Sequence, residues 1–593
     1  MMIKHEKKKL LLVMGIVYLS YILGIIKSLP LHTSTDELGA IIGAAALSGR
    51  DWSGVVDNSG YYGFGYYSLF FWLFQLTNSP IVIYRVIIII TSFLRVLIIP
   101  IAYYIAQNYM QIKSERVLYL CAILMPFLYS SSVGVISNEY VLELLIWIII
   151  LLVCKVMQYQ NNKFKRTMYL CVLTLSCFYS FFIHTRALVI IIAVLIVFFF
   201  RSIFDKSRYN KVLFASVSIG FTAGYVISKI LISLYQAEIY GKKSEEIRNA
   251  TIVVSTQFSI LNSDTWSVWF HMLLGIINSE VLVTGGLFLI CAVAFCFYIL
   301  KLGKRFVWKE NVYCNVIFCI SVLCMGATIC AFLLSRWFEG MLSVWGGEGA
   351  GYDYSFKGLT YIRYWNIYMP PFILSSIGVL KYLDCKKILS IAGVIYIFLQ
   401  VCFMNFVIPI IQKNGSAAST FFGLAGYCFG DAVSENLYYK VVIISSMIFL
   451  LIIILGHTKY KKGILLLVFF FMFIQQNSKV YLYDNEVKET AASKILTSYK
   501  EKCELERRGI YIDQIYLCNV SQNTDANWKL NSIAQFYFNE YTLQEKIPEQ
   551  IGQYDIIISD GKNEDIQRKY KGIHCYILDE NEIWYTYLNI VDL

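Results

Sequence analysis

From Leu10 to about Gln475 the chain is a succession of apolar runs, each long enough to cross roughly 30 Å of hydrocarbon. That layer holds no water to satisfy exposed peptide groups, so a chain built this way folds as a bundle of membrane-spanning helices. The composition agrees, at 58% hydrophobic against 15% charged. The first run, LLLVMGIVYLSYILGIIKSL, follows the basic KHEKKK. No small-residue cleavage site succeeds it, and its length suits a retained span rather than a removed signal. Most cysteines, Cys121, Cys154, Cys171 and Cys177 among them, lie inside such runs as small hydrophobes, and none has metal-ligand spacing.

Charge sets the direction of the spans. With a cytoplasmic N-terminus and thirteen spans, the inside connections are residues 1–9, 107–116, 155–167, 201–211, 301–311, 381–387 and 457–463. They carry 24 Lys and Arg against 9 in the outer loops up to residue 438, as the positive-inside rule requires. The acids run the other way, 5 inside and about 15 outside. An odd number of spans then puts the C-terminal section outside the cell membrane.

One segment decides that parity. YYGFGYYSLFFWLFQL at 61–76 is apolar, but it is short, rich in Tyr and Trp, and opens on a Gly-x-Gly. Half-polar aromatics prefer the headgroup layer, so the segment reads as a juxtamembrane helix on the outer face, with Pro80 opening the second span. Treating it as a span would turn KVMQYQNNKFKR outward, against the charge rule.

Beyond Tyr481 the apolar runs shrink to strand length (IDQIYLCNV, YDIIISD, HCYILDENEIWYTYL) with polar helical stretches such as ETAASKILTSYKEKCELERRG between them. This section has 19 acids to 12 bases. The expected organisation is a membrane domain over 1–478, with 31–80 as its first outer loop, and a soluble extracytoplasmic α/β domain over 479–593. Cys503, Cys518 and Cys575 would face an oxidising compartment there, which is compatible with one disulfide of unspecified pairing.

The outer loops hold the candidate chemistry. Asp36 and Glu37 stand at the mouth of the first span. Adjacent acids in a partly dehydrated site suit a general base or a hard divalent ion, although STDELGAIIGAAAL also reads as a capped helix start. Glu139, in SSSVGVISNEYVLE, occupies the second outer turn, either as an exposed acid or as a buried one needing a cation. FFIHTRALVI leaves only His184, Thr185 and Arg186 between two spans; the His and Arg suit an anionic phosphate, and snorkelling of Arg186 is the alternative. Arg363, followed by Tyr364, opens a late span after a loop rich in Gly, Trp and Tyr. A guanidinium fork binds phosphate oxygens in pairs, and neighbouring aromatics stack on a sugar; an interfacial anchor is again the plain alternative. Arg85, near the start of the second span, is a weaker candidate of the same kind.

The Asp-Glu pair after the first span, the long first loop with its juxtamembrane helix, the Asn-Glu-Tyr turn, the Thr-Arg hairpin and the late Arg-Tyr…Pro helix together resemble the GT-C superfamily. Those enzymes transfer sugars from polyprenyl phosphate, and the arrangement is similar to protein mannosyltransferases and lipid A aminoarabinose transferases. The resemblance covers about residues 10–380 and matches the thirteen-span plan. It implies an inverting hexosyl- or pentosyltransferase with a lipid-linked sugar donor, an extracytoplasmic acceptor, membrane lipids as surroundings and no nucleic acid. By the same resemblance Asp36 is the acceptor base with Glu37 beside it, Glu139 the second-loop acid, and Arg363 the partner of the carrier phosphate. A divalent metal ion held by Asp36, Glu37 and Glu139 is a candidate cofactor. YYGFGYYSLF replaces the Pro-Pro-Leu-Tyr-like start of the juxtamembrane helix found in many relatives.

Other classes share the composition. A transporter or flippase would gather ionisable residues near the midplane; Arg95, Glu143 and Lys229 are such in-span charges, but no repeat symmetry accompanies them. An O-antigen-type ligase or polymerase would concentrate its active residues in one large late outer loop. A scaffold displaying the C-terminal domain would leave the acid-bearing turns unexplained.

Overall fold

The computed structural model describes residues 4–25, 35–56, 61, 63–128, 135–204, 208–241, 262–302, 311–345, 356–413, 437–458, 463–487, 491–518, 524–543, 549–552, 554–559, 568, 574–577 and 585–588. The chain is a polytopic α-helical membrane protein, with a small sheet near its C-terminus.

Helix α1 (Lys4–Ile25) is the first apolar run. The stretch that the charge pattern assigns to the first outer loop follows as α2 (Thr35–Leu47), α3 (Ser53–Val56) and α4 (Phe64–Leu76). The 61–76 segment is therefore a helix of only thirteen residues. It packs its Tyr66, Tyr67 and Phe70 face onto α2 and is too short to cross hydrocarbon at 1.5 Å per residue. Tyr67 lies across Gly43, and its hydroxyl donates to the Gly39 carbonyl at 2.6 Å, so the small face of α2 seats the aromatic face of α4.

Pro80 opens α5 (Pro80–Val96), which continues after a turn as α6 (Ile98–Asn108); Pro100 lacks the donor that would bond across that break. Then come α7 (Glu115–Leu128), α8 (Glu139–Gln158), α9 (Lys163–Ile183), α10 (Leu188–Phe204) and α11 (Arg208–Tyr240). Arg95 and Glu143 sit within this bundle as a mutual pair, 3.3 Å apart, with the guanidinium over the Tyr140 ring; Lys229 is exposed on α11.

Three helices, not two, fill the stretch between the inside connections at 201–211 and 301–311. Beyond α11 stand α12 (Ser263–Val283) and α13 (Leu287–Leu302). They do not fold back on each other. His271, early in α12, lies 4.9 Å from the Trp345 ring, Asn278 bonds to Gln400, and Lys301 at the end of α13 bonds to the Tyr382 carbonyl at the opposite end of the bundle. The pair is one traversal broken at Thr284, Gly285 and Gly286, both glycines with positive φ. Gln475 donates to the Val283 carbonyl at the break, and Ser445 adds a second donor to the Leu282 carbonyl, which also accepts from the Gly285 N–H. Among the described residues nine helices are long and apolar enough to cross a membrane, α12 among them, and α13 is one of the shorter apolar helices.

The remaining membrane helices are α14 (Val312–Leu333), α15 (Arg336–Val344), α16 (Arg363–Asn366), α17 (Met369–Val379), α18 (Cys385–Cys402), α19 (Ile408–Lys413), α20 (Leu437–His457) and α21 (Gly463–Val487). Beyond them lie α22 (Ala491–Arg507) and α23 (Thr524–Tyr537) with strands β1 (Ile515–Cys518), β2 (Ile556–Ser559), β3 (His574–Ile577) and β4 (Tyr585–Leu588). The sheet order is β1-β2-β4-β3, parallel between β1 and β2 and antiparallel in the other two pairs. Cys503 and Cys518 are not joined to each other in a disulfide, and the Cys575 side chain lies outside the described residues.

This sheet unit seats on the first outer loop. Trp52 is buried between Phe74 and Phe536 and donates its indole N–H to the Asn539 carbonyl at 3.0 Å. Asn78 donates to Glu540 at 2.5 Å and accepts from Asn539 through its carbonyl at 2.8 Å; Lys502 pairs with the same Glu540 from within the unit.

Candidate active site

Three turns meet where α8 begins. The first glycine of the Gly-x-Gly, Gly63, has φ +107° and faces the Ile183 carbonyl so closely that an added Cβ would stand 1.9 Å from the oxygen. Only glycine permits that approach, and it locks the start of α4 against the end of α9, one residue before His184. Asn138 ties the α8 turn to the same Ile183 carbonyl with a 3.0 Å hydrogen bond.

Glu139 is the centre of the arrangement. It is fully buried at the first turn of α8, and its two oxygens are divided between two arginines. Arg186 Nη2 donates to Oε1 at 2.8 Å, and Arg363 Nε donates to Oε2 at 2.7 Å. The partners come from 47 and 224 residues away in sequence. Arg186 also lies flat over Tyr364, 4.0 Å from the ring centre, and donates through Nε to His184 Nε2 at 3.0 Å. Burial, then the Arg186 and Arg363 cations, hold the His184 pKa well below the usual imidazole value, so the ring is neutral. Glu139 thus accepts from two guanidiniums, both partly open to solvent, beside an aromatic shelf of Phe332, Trp337, Tyr361 and Tyr364.

Glu37, in the first turn of α2, is buried next to the same α8 turn. It accepts from the Tyr84 hydroxyl at 2.6 Å and from the Ile136 N–H at 2.8 Å. The Asp36 side chain lies outside the described residues. Arg85 Nε is buried with no hydrogen-bond partner among the described residues. The structure therefore brings Glu139, His184, Arg186, Arg363 and Tyr364 together and sets Glu37 at the neighbouring turn. Among the described residues no group of three His, Cys, Asp or Glu side chains is arranged to hold a metal ion. Both Glu139 oxygens are taken by arginines, so the donors around it do not suit a cation.

Two polar groups behind the site, Glu280 and Asn366, went unmarked in the sequence. Glu280 accepts from Asn366 at 2.8 Å, and both are buried. Asn366 closes the short helix that Arg363 opens, and its spacing from Arg363 was the available signal.

No protein-family model matches the sequence, and no curated protein matches it. Solved structures do. ArnT from Cupriavidus metallidurans bound to undecaprenyl phosphate is similar at a TM-score of 0.51 and 10% identity, over 98% of this chain and 98% of that one. Its apo state is similar at 0.50 and 10% identity, over 99% and 98%. The chain has the GT-C fold of these structures, as the sequence resemblance led us to expect.

Proposed function

We propose that this protein transfers a sugar from a polyprenyl-phosphate donor to an extracytoplasmic acceptor at the outer leaflet. The observation that carries the reading is the Glu139 cluster. Two arginines converging on one buried carboxylate present guanidinium donors of the kind that bind phosphate oxygens, within a fold whose solved example, ArnT, binds undecaprenyl phosphate.

In this reading an acceptor hydroxyl attacks the anomeric carbon as the bond from that carbon to the phosphate oxygen breaks. Asp36 takes the hydroxyl proton, and Arg186 and Arg363 receive the charge that collects on the departing phosphate. A preorganised donor of this kind contributes about 2.7–4 kcal/mol to the barrier reduction. A single displacement inverts the anomeric centre. Glu37, fixed by Tyr84 and the Ile136 N–H, orients the acceptor as a permanent hydrogen-bond acceptor. No step runs through a metal.

The test is turnover of a polyprenyl-phosphate sugar by the purified protein, with and without EDTA. Release of polyprenyl phosphate with transfer of the sugar, undiminished by EDTA, is the expected result. No transfer with any lipid-linked monosaccharide would refute the function. A loss on EDTA that divalent ions restore would reassign the phosphate charge to a metal near Asp36.

A further inference from the structure

We propose that Glu280, acting through Asn366, is a positioning residue that sets Arg363 on its phosphate. The inference rests on the role given to Arg363 above.

Arg363 lies on α16, a single turn of four residues, and a helix that short has no rigidity of its own. Arg363 opens the turn and Asn366 closes it, fully buried, with Nδ2 donating to Glu280 Oε2 at 2.8 Å. Trp365, between them, is buried against Phe332 and lies beside the same Glu280 carboxylate. A second contact fixes the approach to the turn. Gly275, five residues earlier on α12, admits the Leu359 carbonyl so closely that a Cβ there would be 2.1 Å from the oxygen. Helix α12 therefore grips the 359–366 stretch at both ends, with Arg363 between the two points.

The outer part of α12 meets α15 and the 356–359 turn, while its end is held by Gln400, Ser445 and Gln475 through Asn278, Leu282 and Val283. A carboxylate at this depth is costly unless donors compensate it. The one hydrogen bond that the Glu280 carboxylate accepts among the described residues, at Oε2, comes from α16 itself, so Glu280 transmits the position of the broken span to the turn that carries Arg363. Losing it leaves the guanidinium present but free to leave Glu139 and the phosphate.

The experiment is equilibrium binding of polyprenyl phosphate in detergent micelles to the full-length protein and its variants, with melting temperature alongside. Glu280→Ala should weaken binding by about tenfold, and Glu280→Gln, which keeps an acceptor for Asn366, should stay within about threefold of wild type. Asn366→Ala should reproduce the Glu280→Ala loss, which keeps the question answerable if that variant fails to fold. The decisive comparison is the double variant Glu280→Ala, Arg363→Ala, which should bind no more weakly than Arg363→Ala alone, because a positioning residue has nothing left to position. Wild-type affinity in Glu280→Ala and Asn366→Ala, or losses that simply add to that of Arg363→Ala, would overturn the inference while leaving the functional reading intact. A wild-type protein that binds no polyprenyl phosphate would remove both.

Discussion

Phe536 meets Tyr84 edge-on, with ring centres 6.3 Å apart, and Tyr84 is the residue that donates to Glu37. The C-terminal unit thus touches a side chain directly bonded to a candidate site acid.

Docking of that unit should be breakable at Trp52. Trp52→Ala removes a buried ring and its bond to the Asn539 carbonyl, a change of about 3–5 kcal/mol for a well-packed aromatic. Protease cleavage near residue 480 should then be faster than in wild type, and in intact cells it should release the C-terminal fragment. A fragment protected in intact cells would contradict the outside placement.

Asp36→Asn should abolish sugar transfer while leaving the melting temperature and donor binding unchanged, since an amide accepts no proton. Glu37→Gln should cost less, because the amide oxygen still accepts from Tyr84 and Ile136. Turnover measured at saturating donor separates the two. Near wild-type turnover in Asp36→Asn would return that residue to a helix-capping role.

Arg363→Lys keeps the charge and loses the planar fork, and Arg186→Lys also loses the face-on contact with Tyr364. Each should raise the donor KM by roughly 10- to 100-fold, as expected for a charge-assisted bond of about 1.5–3 kcal/mol. The acceptor KM should hold steady.

His184 gives a pH signature. Its folded pKa lies below its unfolded value of about 6.5, so the unfolded chain takes up the proton first. The stability this represents is present above about pH 6.5 and is lost as the pH falls below it. Melting temperature should therefore decline on acidification, and less steeply in His184→Gln. The neutral-pH activity profile should carry no limb from this ring.

The span order was readable because each apolar run is long and the charged connections are lopsided. Helix α12 was not, since Asn278, Ser279, Glu280 and Thr284 interrupt its apolar pattern. Asn278 is partnered by Gln400 and Glu280 by Asn366, more than eighty residues away in sequence, while Ser279 and Thr284 bond to main-chain carbonyls of the helix itself. The arginines were individually visible as unusual cations at span ends. That they converge on one acid was not, because nothing local relates position 139 to position 363. Arg85 read as a weaker candidate of the same kind, and its buried Nε has no hydrogen-bond partner among the described residues.

The convergence of Arg186 and Arg363 on Glu139 has a consequence for turnover. A sugar-bearing phosphodiester carries one negative charge, whereas the monoester left after transfer carries about −1.5 to −2 at neutral pH. If the two guanidiniums receive the phosphate, they hold the spent carrier more tightly than the fresh one. On the proposed reaction, release of the spent lipid becomes the slow event of the cycle, and the free carrier competes with its own glycosylated form.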